Sequence, residues 1–243
     1  MWDNSLVRFH RRSVLAGLGG ALLLPSCRTV DWGKERLLHR DAFRTGLGQW
    51  LVEAERGGSF SATDGILDVD SPAGATLWFG HALEGPVAIE YEVTAVKAGG
   101  PNDAVSDINC FWMATDPRAP GGDVLAIRRS GAFAEYDELR TYYAGIGGNR
   151  NTTSRFRRYI GQAGNRPLLP EHDLSGVEDM LTPNRWQTVR LIAFGDLIQY
   201  WRDGKKVFEY RDPEPYTEGW FGIRTTRNHM RVRNLRIYRL TTG

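Results

Sequence analysis

The sequence predicts an all-β protein, a single β-sandwich of the jelly-roll type, and three observations carry that prediction. Beyond residue 27 almost nothing repeats with a helical period; alternating or continuous apolar runs are bounded instead by Gly, Asp and Pro. Roughly a dozen such runs follow one another at intervals of about 10 residues, as in sandwiches and barrels. Two Asp-Gly pairs, Asp64-Gly65 and Asp203-Gly204, fall between runs, where a two-residue hairpin turn needs positive φ angles.

Taken in order, Ser59 to Ala62 and Ile66 to Val69 flank the first Asp-Gly pair and form a hairpin. Gly85-Pro86 introduces an alternating strand at 87–94 with one apolar face. Residues 108–114 are apolar on both faces, which predicts a central strand. Strands follow at 186–194 and 197–201, and the second Asp-Gly pair turns the chain into a strand at 205–210. Runs at 220–223 and 232–238 close the series. The only helix-permissive stretch is short, at 174–181. Residues 147–183, rich in Gly, Asn, Arg and Pro, are poorly patterned and predict a long insertion of the kind that walls a cleft. No repeat or composition break divides the chain, so residues 41–240 are expected to form one domain, long enough to bury a core without staples.

The N-terminus predicts a destination. Arg11-Arg12 precedes a short apolar run at 14–24, which ends at Leu24-Pro25-Ser26-Cys27. Paired arginines, a modest apolar segment and a cysteine after small residues make a twin-arginine export signal with a lipoprotein cleavage site over residues 1–27. The run is too short to span a bilayer, which takes about 20 residues. Cys27 is the expected lipidation site, residues 28–40 a tether, and the product an exported periplasmic or outer-membrane lipoprotein held to the membrane by its lipid. Pro25 departs from the usual residue two positions before such a cysteine, which leaves cleavage without lipidation open.

Apart from Cys27 the chain holds only Cys110, so the mature protein has no internal disulfide and no cysteine-based metal site. Cys110 lies in an apolar run and is expected to be a small core residue. The 31 basic and 29 acidic side chains nearly cancel, but the basic ones are unevenly placed. Residues 139–170 contain no acid, yet Arg140, Arg150, Arg155, Arg157, Arg158 and Arg166 all fall there. Such a field attracts anions, and the guanidinium fork grips carboxylates and sulfates. In an exported protein an acidic glycan suits the patch better than nucleic acid, which is not expected as a partner.

Two groups of residues carry a resemblance to known families. Trp186, the Asp203-Gly204 hairpin, the Gly219-Trp220-Phe221-Gly222-Ile223 run and the 232–237 run resemble the closing strands of concanavalin A-like proteins, including the domain associated with 3-keto-glycoside cleavage. Arg129-Ser130-Gly131, Phe133, Tyr136, Tyr142-Tyr143 and Ser154-Arg155-Phe156-Arg157-Arg158 resemble the YesU-like proteins, as do Trp78-Phe79 and the 106–112 run. The second resemblance covers most of residues 41–240. It implies a concanavalin-like jelly roll and a place beside enzymes that degrade pectin, rhamnogalacturonan above all; it implies no settled reaction.

Three constellations compete for the chemistry. Tyr142, Tyr143, Tyr159 and His172, with Arg155, Arg157 and Arg158, are the residue types that cleave a uronate by β-elimination. Arginine neutralises the carboxylate, and Tyr or His removes the C–H proton and protonates the leaving oxygen. Packed tyrosines beside a solvated arginine loop are the structural alternative. Glu135 and Asp137 share a strand face and could serve glycoside hydrolysis. Arg140, however, stands where the family sixteen glucanase pattern Glu-x-Asp-x-x-Glu has its last acid, so an acidic surface turn competes. His229, with Arg224, Thr225, Arg227 and Asn228, could line a sheet face or the polar side of a hairpin.

Asp107 and Asn109 could bind a sugar hydroxyl or Ca²⁺, or join a buried network. Trp112 and Trp220 offer aromatic faces for sugar rings. No phosphate loop, dinucleotide fingerprint, zinc-type His pair or nucleophile elbow occurs, and no cofactor is expected. The chain is therefore expected to act on acidic plant or algal polysaccharide fragments as a glycan-cleaving enzyme, a lyase ahead of a glycoside hydrolase or 3-keto-glycoside cleavage; the alternative is a non-catalytic carbohydrate-binding protein. One feature discriminates: an enzyme should bring His172 or His229 to a tyrosine in the cleft, and a binding protein should show arginines and aromatics without that pair.

Overall fold

The computed structural model describes residues 32–242. The export signal at 1–27, Arg11, Arg12, Cys27 and the first residues of the tether lie outside them. Sixteen strands follow in chain order: β1 (Trp32–Asp41), β2 (Trp50–Ala54), β3 (Ser59–Thr63), β4 (Ile66–Ser71), β5 (Ala75–Phe79), β6 (Leu83–Glu84), β7 (Val87–Ala95), β8 (Ile108–Thr115), β9 (Arg140–Gly147), β10 (Thr153–Ile160), β11 (Asp173–Leu174), β12 (Gln187–Phe194), β13 (Leu197–Arg202), β14 (Lys205–Arg211), β15 (Glu218–Thr225) and β16 (Asn228–Thr242).

They form two antiparallel sheets. Sheet A runs β14-β13-β12-β7-β16-β4-β3, with β1 also paired to β16; sheet B runs β11-β10-β9-β8-β15-β5-β2, with β6 on β15. The fold is an all-β jelly roll. Its core lies between the sheets, where Leu77, Phe79, Cys110, Trp112, Tyr142, Phe156 and Phe221 of sheet B meet Leu67, Ile89, Val93, Leu191 and Ile237 of sheet A. Burial pushes the Cys110 thiol up to about 12, so it is an inert packing group.

Both Asp-Gly hairpins form, with Asp64 at φ 53° and Asp203 at φ 49°, each followed by a left-handed glycine. Two expectations need correction. From Trp32 onward the tether is strand β1, paired to β16 from Trp32↔Thr242 to Asp41↔Leu235. Its polar sequence hides it, because much of the strand is exposed and Lys34 answers Glu90 at 2.7 Å. The insertion at 147–183 contains β10, a full strand of sheet B. There Phe156 faces the core while arginines occupy the neighbouring positions, which masks the alternation. The helix-permissive stretch holds only a 3₁₀ turn, Val177–Asp179.

Candidate functional site

The outer face of sheet B carries a polar row. Glu53 of β2 pairs with Thr76 of β5, Thr76 with Arg224 of β15, and Arg224 with Asn109 of β8. Asn109 pairs with Gly145 of β9, Gly145 with Arg155 of β10, and Arg155 with Asp173 of β11. Two residues along each strand lies an aromatic row, Leu51–Trp78–Gly222–Phe111–Tyr143–Arg157. Side chains two apart on a strand share a face, so both rows look outward.

The loop at 116–139 covers one half of this face. Tyr136 stacks on Phe111 and, more tilted, on Trp78, and Arg129 is buried between Asp116 and Glu53. The other half is open. Two adjoining hollows of about 610 and 520 Å³ share Asp107, Phe133 and Asn149. Asn109 and Thr226 belong to the first; Tyr143, Gly145, Arg155, Arg157 and Arg166 belong to the second.

Each group in the cleft has a definite state. Arg155 is matched in bidentate fashion to Asp173 at 2.7 and 3.2 Å. Arg166 approaches Asp137 at 3.3 Å. Arg157 has no carboxylate partner among the described residues and donates only to the Arg166 carbonyl. Burial, then the like charges of Arg155 and Arg166, pull its pKa below the ordinary arginine value. The guanidinium stays charged at any working pH, so an incoming anion would relieve that strain. Asp107 accepts from Ser106 Oγ at 2.5 Å, Thr226 Oγ1 at 2.7 Å and Asn109 Nδ2 at 3.3 Å. Among the described residues no group of three or more His, Cys, Asp or Glu side chains could hold a metal ion.

Tyr143 lies along the strand so that its hydroxyl covers Gly145. A Cβ on Gly145 would sit 2.6 Å from that oxygen. Burial drives the Tyr143 pKa well above the phenolic value, and Tyr159 and Asp107 add to the shift. Its hydroxyl is therefore a donor at neutral pH.

The remaining predicted residues lie elsewhere. Tyr142, next in sequence to Tyr143, points inward and bonds Asp212 at 2.6 Å. Trp112 is in the core between the sheets. Arg158 faces the same way as Phe156; it pairs with Asp212 at 2.7 Å and lies 4.4 Å over Tyr216. His172 is buried edge-on against Phe156 and Phe208, and its Nε2 meets the Glu209 carbonyl at 3.1 Å. His229 stands on sheet A between Asp68 and Asp103, at 3.0 and 3.1 Å. Neither histidine meets a tyrosine in the cleft.

Tyr159 is on the outer face but fully buried, and burial raises it to about 12. Trp220 packs against the covered half beside β6. Glu135 clamps Ser130 at 2.7 and 2.5 Å, and those bonds hold its carboxyl below the usual range. With Asp137 on Arg166 and the Gly164 amide, the acidic pair is a loop fastening. Phe133, Gly145 and Asn149 also line the cleft, beyond the residues expected from sequence. Gly145 and Asn149 carry no local signal, and Arg166 had only its place in the acid-free run.

A third hollow, of about 280 Å³, lies on the outer face of sheet A over Glu90, Arg190, Trp201 and Arg236. Its Glu90 is already taken by Lys34 and Arg190, at 2.7 and 2.6 Å. The outer face of sheet B, where the half-buried Arg157 has no acid among the described residues, is the candidate site.

In fold the protein is similar to a protein of unknown function with a galectin-like fold from Bacillus subtilis, at 16% identity and a TM-score of 0.68, over 87% of this chain and 100% of that one. It is also similar to carbohydrate-binding module CBM66 from Bacillus subtilis, at 13% identity and a TM-score of 0.53, over 78% and 95% of the two chains. The endo-β-1,3-glucanase of Pyrococcus furiosus matches at 14% identity and 0.54, over 86% and 95%. Identities this low carry the fold alone. No curated protein matches the chain in sequence. Residues 69–235 match a domain of unknown function, DUF6250, and the chain belongs to that family.

Proposed function

We propose that the protein recognises an acidic, uronate-containing polysaccharide in the cleft on the outer face of sheet B, as a binding component of a polysaccharide-degrading system. The observation that carries this reading is Arg157, a half-buried cation without an acid, flanked by Arg155 and Arg166 in an open groove. Sugars fit the groove through the Asn109 amide and the Tyr143 hydroxyl. Similarity to a carbohydrate-binding module and an endo-glucanase supports a glycan as ligand class. A closer kinship to the YesU-like proteins would make pectic chains the first to try.

Hydrolysis is poorly served, because it needs two facing carboxyl groups about 5–9.5 Å apart. Asp173 and Asp137 are engaged by arginines, which leaves Asp107 alone. Eliminative cleavage is the second reading, and Tyr143 favours it. Held protonated, its hydroxyl can deliver a proton to a leaving oxygen, but it cannot then take the C–H proton, and no histidine in the cleft supplies that base.

Calorimetry of the protein against neutral and uronic oligosaccharides tests the main reading, with ultraviolet absorbance of an unsaturated product as the test for elimination. Binding of acidic chains only, without product, is expected. Equal affinity for both classes would overturn it. Gly145→Ala should displace the Tyr143 hydroxyl and weaken binding of the acidic chain about fivefold, the equivalent of about 1 kcal/mol. Unchanged affinity in the same titration would remove Tyr143 from the site.

We also propose that the protein is exported through its twin-arginine signal and anchored by lipid on Cys27. Replacing Arg11 and Arg12 with lysine should leave precursor in the cytoplasm. Cys27→Ala should abolish labelling by a fatty-acid analogue, and an unlabelled wild-type protein would refute the anchor.

A further inference from the structure

Arg224 is the next member of the polar row beyond Asn109, directly opposite it on β15. It is fully buried, and no ion pair of the described residues includes it. Its Nη1 donates to Thr76 Oγ1 at 2.8 Å and to the Gly131 carbonyl at 3.1 Å; Nε and Nη2 have no partner. A buried guanidinium with two unused donors and no acid within ion-pair distance is expensive to maintain unless something answers it.

Two rings lie against it, Tyr136 at 4.5 Å and Phe133 at 4.7 Å. Phe133 is the one that lines the open cleft, where its ring also lies 4.7 Å from the Arg166 guanidinium. Phe133 thus separates two cations, one belonging to the cleft and one hidden beside it.

The segment around Phe133 is fastened on both sides. Arg129 is buried on Asp116 and Glu53, and Tyr136 donates to Glu53 at 2.8 Å. Gly131 is wedged so closely that a Cβ there would lie 2.6 Å from the Glu55 amide nitrogen and 2.8 Å from the Gly74 carbonyl. The backbone cannot lift easily, so any opening falls to the half-buried Phe133 side chain, whose ring rests on Tyr143, 5.7 Å away, besides the two cations.

We propose that Arg224 is a gated oxyanion subsite, closed by the Phe133 ring, which takes a carboxylate or sulfate group of the glycan when that ring swings aside. The anion would replace the two cation–ring contacts of Phe133 with charge-assisted hydrogen bonds to Nε and Nη2, which are the stronger interaction. The polar row would then run unbroken from Arg155 to Arg224, lengthening the groove by one strand, about 5 Å at the usual strand spacing. This subsite rests on the glycan reading of the cleft.

The test follows the arginine Nε–Hε resonances of wild type and Phe133→Ala during separate titrations with sodium sulfate and trigalacturonate. In Phe133→Ala the Arg224 resonance should shift with both anions, and sulfate should bind about tenfold more tightly than to wild type. A shift with one anion only would retain the subsite and name the group it accepts. Movement of Arg157 alone, with Arg224 still in both proteins, would overturn the subsite and leave the cleft reading intact. If neither resonance moves, both are overturned. Arg224→Lys adds a check: in the Phe133→Ala background it should abolish the gain in sulfate affinity, and a retained gain would overturn the subsite. Should that double variant fail to fold, the Phe133→Ala titration decides alone.

Discussion

Replacing Glu53 with alanine is expected to destabilise the protein by about 3–5 kcal/mol, the usual range when one partner of a buried ion pair is removed. Glu53 is 2% exposed and accepts from Trp78 Nε1 at 3.0 Å, Tyr136 Oη at 2.8 Å and the Arg129 amide at 2.9 Å. It also faces the Arg129 guanidinium at 3.7 Å, which is shared with the buried Asp116. Alanine would orphan three donors and leave Arg129 with one acid. Each stranded donor costs about 1–3 kcal/mol, partly recovered by relaxation. Glu53→Gln keeps the volume but not the charge and should lose less. Thermal unfolding should show a drop of about 6–20 °C for Glu53→Ala. A change within about 1 kcal/mol of wild type would mean that the loop at 116–139 is not held through Glu53.

That network also explains why the site was only partly legible in the sequence. Hairpins at Asp64-Gly65 and Asp203-Gly204 could be read because the turn chemistry is local. The shared face of Arg155 and Arg157, opposite to Arg158, could be read because side chains alternate along any strand. Which of Tyr142 and Tyr143 faces outward could not, since parity is set by register with β8 and β10. β8 itself breaks parity: Met113 has φ 51°, the register shifts between Trp112 and Thr115, and Trp112 and Met113 both enter the core. The Arg224 neighbourhood was illegible for another reason. Its rings and carbonyl arrive from residues 131–136, some 90 positions away, and nothing near Thr225 signals them. The place of the two histidines is illegible for the same reason, since residue type does not disclose surroundings that are aromatic for His172 and acidic for His229.

Arg157→Ala should weaken binding of acidic oligosaccharides about tenfold or more, the loss of one charge-assisted contact of about 1.5–3 kcal/mol. The folded protein should barely notice, because the side chain gives up only a bond to the Arg166 carbonyl and a buried like-charge repulsion. Arg158→Ala should behave in the opposite way. It removes a partner of the buried Asp212, at 2.7 Å, and a cation packed on Tyr216, so stability should fall while affinity for the glycan stays close to wild type. Arg157→Lys should restore only part of the affinity, since a point charge cannot reproduce a fork that grips both oxygens of a carboxylate. Salt sharpens the contrast: wild-type affinity should fall as ionic strength rises, and the Arg157→Ala protein should show a shallower dependence. Calorimetry of the three variants beside wild type, with thermal unfolding of each, separates binding from folding. If Arg157→Ala lowers stability and spares binding while Arg158→Ala spares stability and weakens binding, the recognising face is the inner edge beside Tyr216, and the cleft over Gly145 is only surface.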